Sequence, residues 1–307
     1  MSRRAATALI GGLLAVFVVT GCTAPIDAGA TGTGTATTTP LETVEVGGVS
    51  RGYLLRTPDD AEDREPMPVV VMIHGAGGNG ERAEAATGLT AIAETNGFIA
   101  AYPYGTQAAN IPGEFSWNAG VCCGVPARSG VDDVAFITAM LDQIAATYPV
   151  DPEQIYIGGF SNGGMLSYRL ACELGDRIAG IAVVSGALNV PECAAPDPID
   201  LLVIHGTADL VVPYAGGETA ARTAARFGTW TNTSVADSVD FWRERDGCER
   251  RPTTITEESV TTETYLDCDG GTRIEVVTIS EGGHEWPQPT NLAYDATSEI
   301  LGFFGLV

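Results

Sequence analysis

Ile155-Tyr156-Ile157-Gly158-Gly159-Phe160-Ser161-Asn162-Gly163-Gly164-Met165 decides how this chain is read. A short apolar, β-favouring run leads into Gly159-Phe160-Ser161-Asn162-Gly163, and a helical pattern follows. This is G-x-S-x-G in a strand–turn–helix setting, the pattern of a nucleophile elbow. A nucleophilic serine needs that shape because its hydroxyl must stand exposed on a sharp, strained turn. Glycines two residues before and two after it remove Cβ atoms that would collide as strand and helix close on each other. The helix opening at Asn162 directs its free N–H groups toward the serine, where negative charge would develop on a substrate oxygen.

Outward from the elbow, residues 68–73, 98–102, 178–184 and 199–204 are continuous apolar runs, as strands buried on both faces of a parallel sheet require. Helical spacing over 131–148 aligns Val134, Ile137, Leu141 and Ile144, with Asp132 and Asp133 suited to the positive end of the helix dipole. Helices are also predicted over 81–95, 234–245 and about 293–304. Thr43–Val46 and Arg51–Leu55 read as a hairpin about Gly47-Gly48, and two strand-like runs meet at Asp269-Gly270-Gly271. The alternation predicts an α/β fold: one domain with a doubly wound, mostly parallel sheet. Ligands of such sheets bind beyond the carboxyl ends of the strands, where His74-Gly75, Ser161, His205-Gly206 and Gly283-His284 all fall.

The 307 residues are 45% hydrophobic and 18% charged, enough for one large core. Against 39 acidic residues stand 16 basic ones, every one an arginine, for a formal charge of −23. That balance argues against nucleic acid and against anionic membranes as partners. Residues 1–21 read as an export signal, with Arg3 and Arg4 ahead of an apolar run too short to span a bilayer comfortably. Val19-Thr20-Gly21-Cys22 is similar to a bacterial lipobox, which makes Cys22 the expected lipidated residue and the only membrane attachment. Residues 22–40, almost all Thr, Gly and Ala, read as a flexible tether, and 41–307 as the folded domain.

A serine hydroxyl needs a base to take its proton, and the base needs a carboxylate to fix its tautomer. On the α/β-hydrolase fold the chain order is Ser, then Asp or Glu, then His. Of the three histidines, His74, His205 and His284, only His284 follows Ser161 with room for an acid strand between. Asp209 lies just beyond the apolar run 201–204, on a strand-end loop where the acid belongs, whereas Asp197 and Asp200 precede the same strand. The expected catalytic set is therefore Ser161, Asp209 and His284. An oxyanion hole is expected from the backbone N–H of Asn162 and one from His74-Gly75-Ala76-Gly77-Gly78, with Ala76 favoured and Gly75 and Gly77 as alternatives. His74 itself reads as a loop brace.

These residues resemble a known family: secreted bacterial and fungal poly(3-hydroxybutyrate) depolymerases, feruloyl esterases and acetylxylan esterases, the family-one carbohydrate esterases. The resemblance is carried by His74-Gly75-Ala76-Gly77-Gly78-Asn79, Trp117-Asn118 with Cys122-Cys123-Gly124, Val131-Asp132-Asp133-Val134 and Phe160-Ser161-Asn162-Gly163-Gly164-Met165. It continues in Arg169-Leu170-Ala171-Cys172, His205-Gly206-Thr207-Ala208-Asp209, Pro213-Tyr214 and Gly283-His284 with Trp286-Pro287. It implies an α/β-hydrolase that cleaves carboxylic esters through Ser161, Asp209 and His284, in a lipoprotein branch of the family. No cofactor or metal is called for, and a monomer acting on small or oligomeric esters is expected. A serine peptidase of the prolyl-peptidase-like class shares the elbow and the triad order and is the competing reading. The segment 103–130 with Trp117, together with Trp286 beside the base, is the expected recognition surface, where indoles could stack on a feruloyl ring or a sugar.

Besides Cys22 there are six cysteines, an even count that implies disulfides in an exported protein, although six allow fifteen pairings. Cys248 and Cys268 flank a strand-rich stretch, and Cys172 and Cys193 bracket one helix end and a strand. Pairing them so leaves Cys122 with its neighbour Cys123.

Overall fold

The computed structural model describes residues 41–307 apart from 108–111, 195–196 and 293. The expected export signal, the expected lipidation site Cys22 and the expected tether lie outside the described residues. The chain opens with the hairpin β1 (Glu42–Val46) and β2 (Val49–Arg56), followed by β3 (Met67–Ile73), helices α1 (Gly80–Thr87) and α2 (Leu89–Asn96), and β4 (Ile99–Pro103). Next come two short strands, β5 (Thr106–Gln107) and β6 (Phe115–Ser116), then α3 (Gly124–Arg128), α4 (Asp133–Thr147), β7 (Val150–Phe160) and α5 (Asn162–Leu174). After β8 (Gly180–Val184) and β9 (Asp200–Gly206) come β10 (Gly217–Glu218), α6 (Ala221–Phe227), β11 (Thr231–Asn232) and α7 (Val235–Arg245). The chain closes with β12 (Thr253–Glu257), β13 (Val260–Tyr265), β14 (Ile274–Ile279) and α8 (Ala296–Phe303).

Ten of these strands make one sheet in the order β1-β2-β4-β3-β7-β8-β9-β14-β13-β12. The six from β4 to β14 run parallel, and an antiparallel hairpin closes each end. This is the α/β-hydrolase fold. The period of two along β3 explains the double winding. Val69, Val71 and Ile73 share a core with Phe136, Ile137, Leu166 and Trp242 from α4, α5 and α7. Val70 and Met72 face the other way, against Ala83, Leu89, Ala93 and Ile300 from α1, α2 and α8.

Three expectations change. The single helix over 81–95 is two helices, because Gly88 takes φ 61° and its N–H caps Glu84 O of α1. The runs about Asp269-Gly270-Gly271 are β13 and β14, and a further strand, β12, pairs with β13 at the sheet edge. The last helix begins at Ala296, where Asp295 accepts from the amides of Thr297 and Ser298.

Candidate active site

β7 ends in the elbow. Ser161 takes φ 55° and ψ −120°, a strained conformation for a residue with a side chain, and its amide donates to Val184 O of β8 at 2.8 Å. The glycines are required by contact. A Cβ on Gly159 would lie 2.4 Å from the Gly163 carbonyl carbon, and one on Gly163 would lie 2.3 Å from Ile73 O. The turn therefore packs backbone to backbone against the end of β3, where the loop from His74 begins.

Asp209 and His284 meet because β9 and β14 are neighbours in the sheet. Past those strands, Ala208 N donates to Gly282 O, Thr207 N to Ile279 O and Glu281 N to Thr207 Oγ1, each at 2.9 Å. The result brings three side chains from distant parts of the chain into line. His284 Nδ1 donates to Asp209 Oδ2 at 2.7 Å, and its Nε2 stands 2.9 Å from Ser161 Oγ. Ser161 and Asp209 are buried, and the imidazole is 15% exposed. Asp209 Oδ1 also accepts from the amides of Val211 and Val212 at 2.8 and 2.9 Å. Burial would raise the Asp209 pKa, but hydrogen bonds from His205 and His284, the nearby His284 charge and the Val212 amide outweigh it. The carboxyl is held well below the usual carboxylate range.

The loop after β3 is braced from within. The amides of Gly77 and Gly78 donate to Phe115 O and Gly75 O at 2.7 and 2.9 Å, so neither is available to a ligand. Gly75 lies against the elbow, where a Cβ would stand 3.2 Å from Ser161 Cβ. His74 Nδ1 donates to Gly75 O at 2.8 Å and Nε2 accepts from Gly105 N at 3.1 Å. Burial pushes this imidazole down to about 4, in keeping with a neutral structural ring.

Trp117 does not face a ligand, which corrects the expectation that it lines the recognition surface. Its indole is wholly buried, donates to His74 O at 2.9 Å and lies between the rings of His74 and Phe136. Asn162 holds the same loop: its Oδ1 accepts from Trp117 N at 2.8 Å, and its Nδ2 donates to Trp117 O at 3.2 Å. Asp133, expected only to favour a helix dipole, is fully buried; it accepts from Asn118 N at 2.7 Å and pairs with Arg51 at 2.8 Å. The disulfides pair Cys122 with Cys123, Cys172 with Cys193 and Cys248 with Cys268.

Two cavities meet at Gly75, Ala76, Phe160 and His284. The smaller, about 190 Å3, is walled by Ser161, Asn162, Met165, Cys123, Val211, Val212, Phe227 and Trp230. The larger, about 380 Å3, runs between α1 and the loop after His284, past Met72, Arg82, Thr87, Glu285 and Trp286. Trp286 is 8% exposed and donates to Thr297 Oγ1, so it presents a wall rather than an open stacking face. Sequence reasoning missed Phe227 and Trp230. They come from α6 and the turn into β11, a segment with no motif that folds back beside the elbow. Among the described residues no cluster of His, Cys, Asp and Glu could hold a metal.

The profile of the phospholipase/carboxylesterase family matches residues 60–237. The chain is 34% identical over 269 residues to the protein named esterase NocK of Nocardia uniformis subsp. tsuyamanensis, covering 83% of this chain and 76% of that one. It is 28% identical to feruloyl esterase B of Piromyces equi over 76% of this chain and 42% of that one. With feruloyl esterase C of Emericella nidulans it shares 33% identity over 56% of this chain and 60% of the relative, so it spans well under the whole length of both feruloyl esterases. Among solved structures, the acetyl xylan esterase from Aspergillus awamori superposes with a TM-score of 0.63 at 15% identity, over 87% of this chain and all of that one, a likeness of fold. By elbow, sheet and sequence kinship together, the chain belongs to the phospholipase/carboxylesterase family of α/β-hydrolases and is a carboxylic ester hydrolase.

Proposed function

We propose that this enzyme cleaves esters of short or aromatic acyl groups, of the feruloyl or acetyl type, through Ser161, His284 and Asp209. The observation that carries the reading is the line of hydrogen bonds from Asp209 through His284 to Ser161 at the junction of the two cavities. Ser161 Oγ attacks the ester carbonyl as His284 Nε2 takes its proton. Asp209 holds Nδ1–H and stabilises the imidazolium that forms. The amides of Asn162 and Ala76 receive the oxyanion; Ala76 is preferred because the Gly77 and Gly78 amides are already engaged. His284 then protonates the departing alcohol, and water repeats the sequence on the acyl-enzyme.

The smaller cavity holds both Ser161 and Asn162, so the acyl group is assigned there, with Phe227 and Trp230 as walls for an aromatic ring. The larger cavity contains His284 but neither Ser161 nor Asn162, which suits an alcohol whose oxygen must be protonated. A small apolar acyl pocket agrees with short or aromatic acids and with activity that falls steeply by about decanoyl.

Chromogenic acetyl, butyryl, feruloyl and decanoyl esters run beside a dipeptide amide test this reading. Ester turnover is expected, abolished by Ser161→Ala with an unchanged thermal midpoint and lowered about ten-thousand-fold by Asp209→Asn. Faster amide cleavage, or peak activity on the decanoyl ester, would overturn it. The three disulfides and the N-terminal residues further support export, with 1–21 as the leader, Cys22 lipidated and 22–40 as a tether. Cys22→Ala is expected to move the enzyme from the membrane fraction to the medium; an unchanged membrane pool would remove the anchor.

A further inference from the structure

His205, the last-but-one residue of β9, is 1% exposed and has no part in the proton relay described above. Its Nε2 stands 2.9 Å from Val212 O and 3.3 Å from Asp209 Oδ2. A carbonyl oxygen only accepts, so Nε2 carries the hydrogen and donates it to Val212 O, and the same N–H edge lies beside Asp209 Oδ2. Nδ1 has no partner among the described residues. A proton there would be a buried donor with nothing to receive it. The ring is thus held as the Nε2–H tautomer. The perpendicular Tyr214 ring supports it at 5.7 Å, and the Tyr214 hydroxyl is 2.9 Å from Thr278 Oγ1 on β14.

An apolar side chain of the same volume would fill this space without leaving a ring nitrogen unpaired. What the imidazole adds is a polar N–H, tied to Val212 O, whose positive end stands 3.3 Å from Oδ2. Oδ1 is fixed by two backbone amides, whereas among the described residues Oδ2 meets only His284 and His205. We propose that His205 is a positioning residue that pins the Asp209 carboxylate against rotation, so that Oδ2 stays on His284 Nδ1 while His284 gains and loses its proton. This rests on the Ser161–His284–Asp209 reading.

The test is a double-mutant cycle on the full chain with a short-chain chromogenic ester, reading kcat, KM and the thermal midpoint. His205→Asn is expected to lower kcat about tenfold with KM unchanged, because a freed carboxylate misplaces the base. His205→Gln should recover most of that loss, since its amide nitrogen reaches the place of ring Nε2 and that of Asn does not. In an Asp209→Asn background, His205→Asn should add no further loss, because its effect runs through the carboxylate. An unchanged kcat in His205→Asn, or the same fold-loss in both backgrounds, would overturn the proposal. Should His205→Asn fail to fold, His205→Phe, which keeps the ring without a donor, is held to the same criteria. If Asp209→Asn itself left kcat unchanged, the assignment of the acid would fail first, and this proposal with it.

Discussion

Replacing Gly163 by alanine probes the contact on which the whole site depends. The new Cβ would lie 2.3 Å from Ile73 O and 2.6 Å from His74 O, both backbone atoms that no rotamer change can move aside. An ordinary carbon–oxygen contact is about 3.3 Å or longer, so the start of α5 and the end of β3 must part by about 1 Å. That displacement separates the Asn162 amide and Ser161 from the loop carrying Ala76, the two halves of the proposed oxyanion hole. A misplacement of about 1 Å costs on the order of a hundredfold in rate, and overpacking of this kind costs about 1–3 kcal/mol of stability. Initial rates on a short-chain ester and a thermal scan measure both. Gly302→Ala in α8 is the control, because a Cβ there meets nothing within 4 Å and alanine favours a helix. A folded Gly163→Ala enzyme with unchanged kcat/KM would refute the claim that close backbone approach holds the site together.

The cavity assignment is checked by two tryptophans. Trp230→Ala is expected to raise KM for feruloyl esters more than for acetyl esters of the same alcohol, and Trp286→Ala to respond to the alcohol rather than the acyl group; the reverse pattern would exchange the cavities. His74 should give a pH signature. Its folded pKa of about 4 lies below the usual histidine value of about 6.5, so the unfolded chain binds more protons between those limits. The stability this group leaves intact above about pH 6.5 should fall by about 3 kcal/mol as pH drops toward 4. Asp209, held low by its partners, loses its contribution only below about pH 4, where unfolded aspartate protonates. Urea midpoints of wild type and His74→Asn across that range should converge on acidification, and parallel curves would exclude His74 as the cause.

The elbow, the parallel strands and the order of Ser161, Asp209 and His284 were legible in the chain because each is a local pattern. Apolar runs give strands, glycines at fixed offsets give a turn, and polar residues after strands fall at one edge of the sheet. Even the cysteine pairs Cys172–Cys193 and Cys248–Cys268 followed from nearby elements. The fate of Trp117 was not legible, because an aromatic residue in a Gly-rich loop reads the same whether it faces solvent or donates to His74 O. Nor were Phe227 and Trp230, since which segment folds back over the elbow depends on the path of the chain after Asp209. His205 and Asp209 share one motif, but that the His205 ring comes beside the same carboxylate oxygen as His284 depends on the turn through Val212. Local rules settle which backbone forms; long-range packing alone settles which side chains line a cavity, because those neighbours are brought together only by the completed sheet.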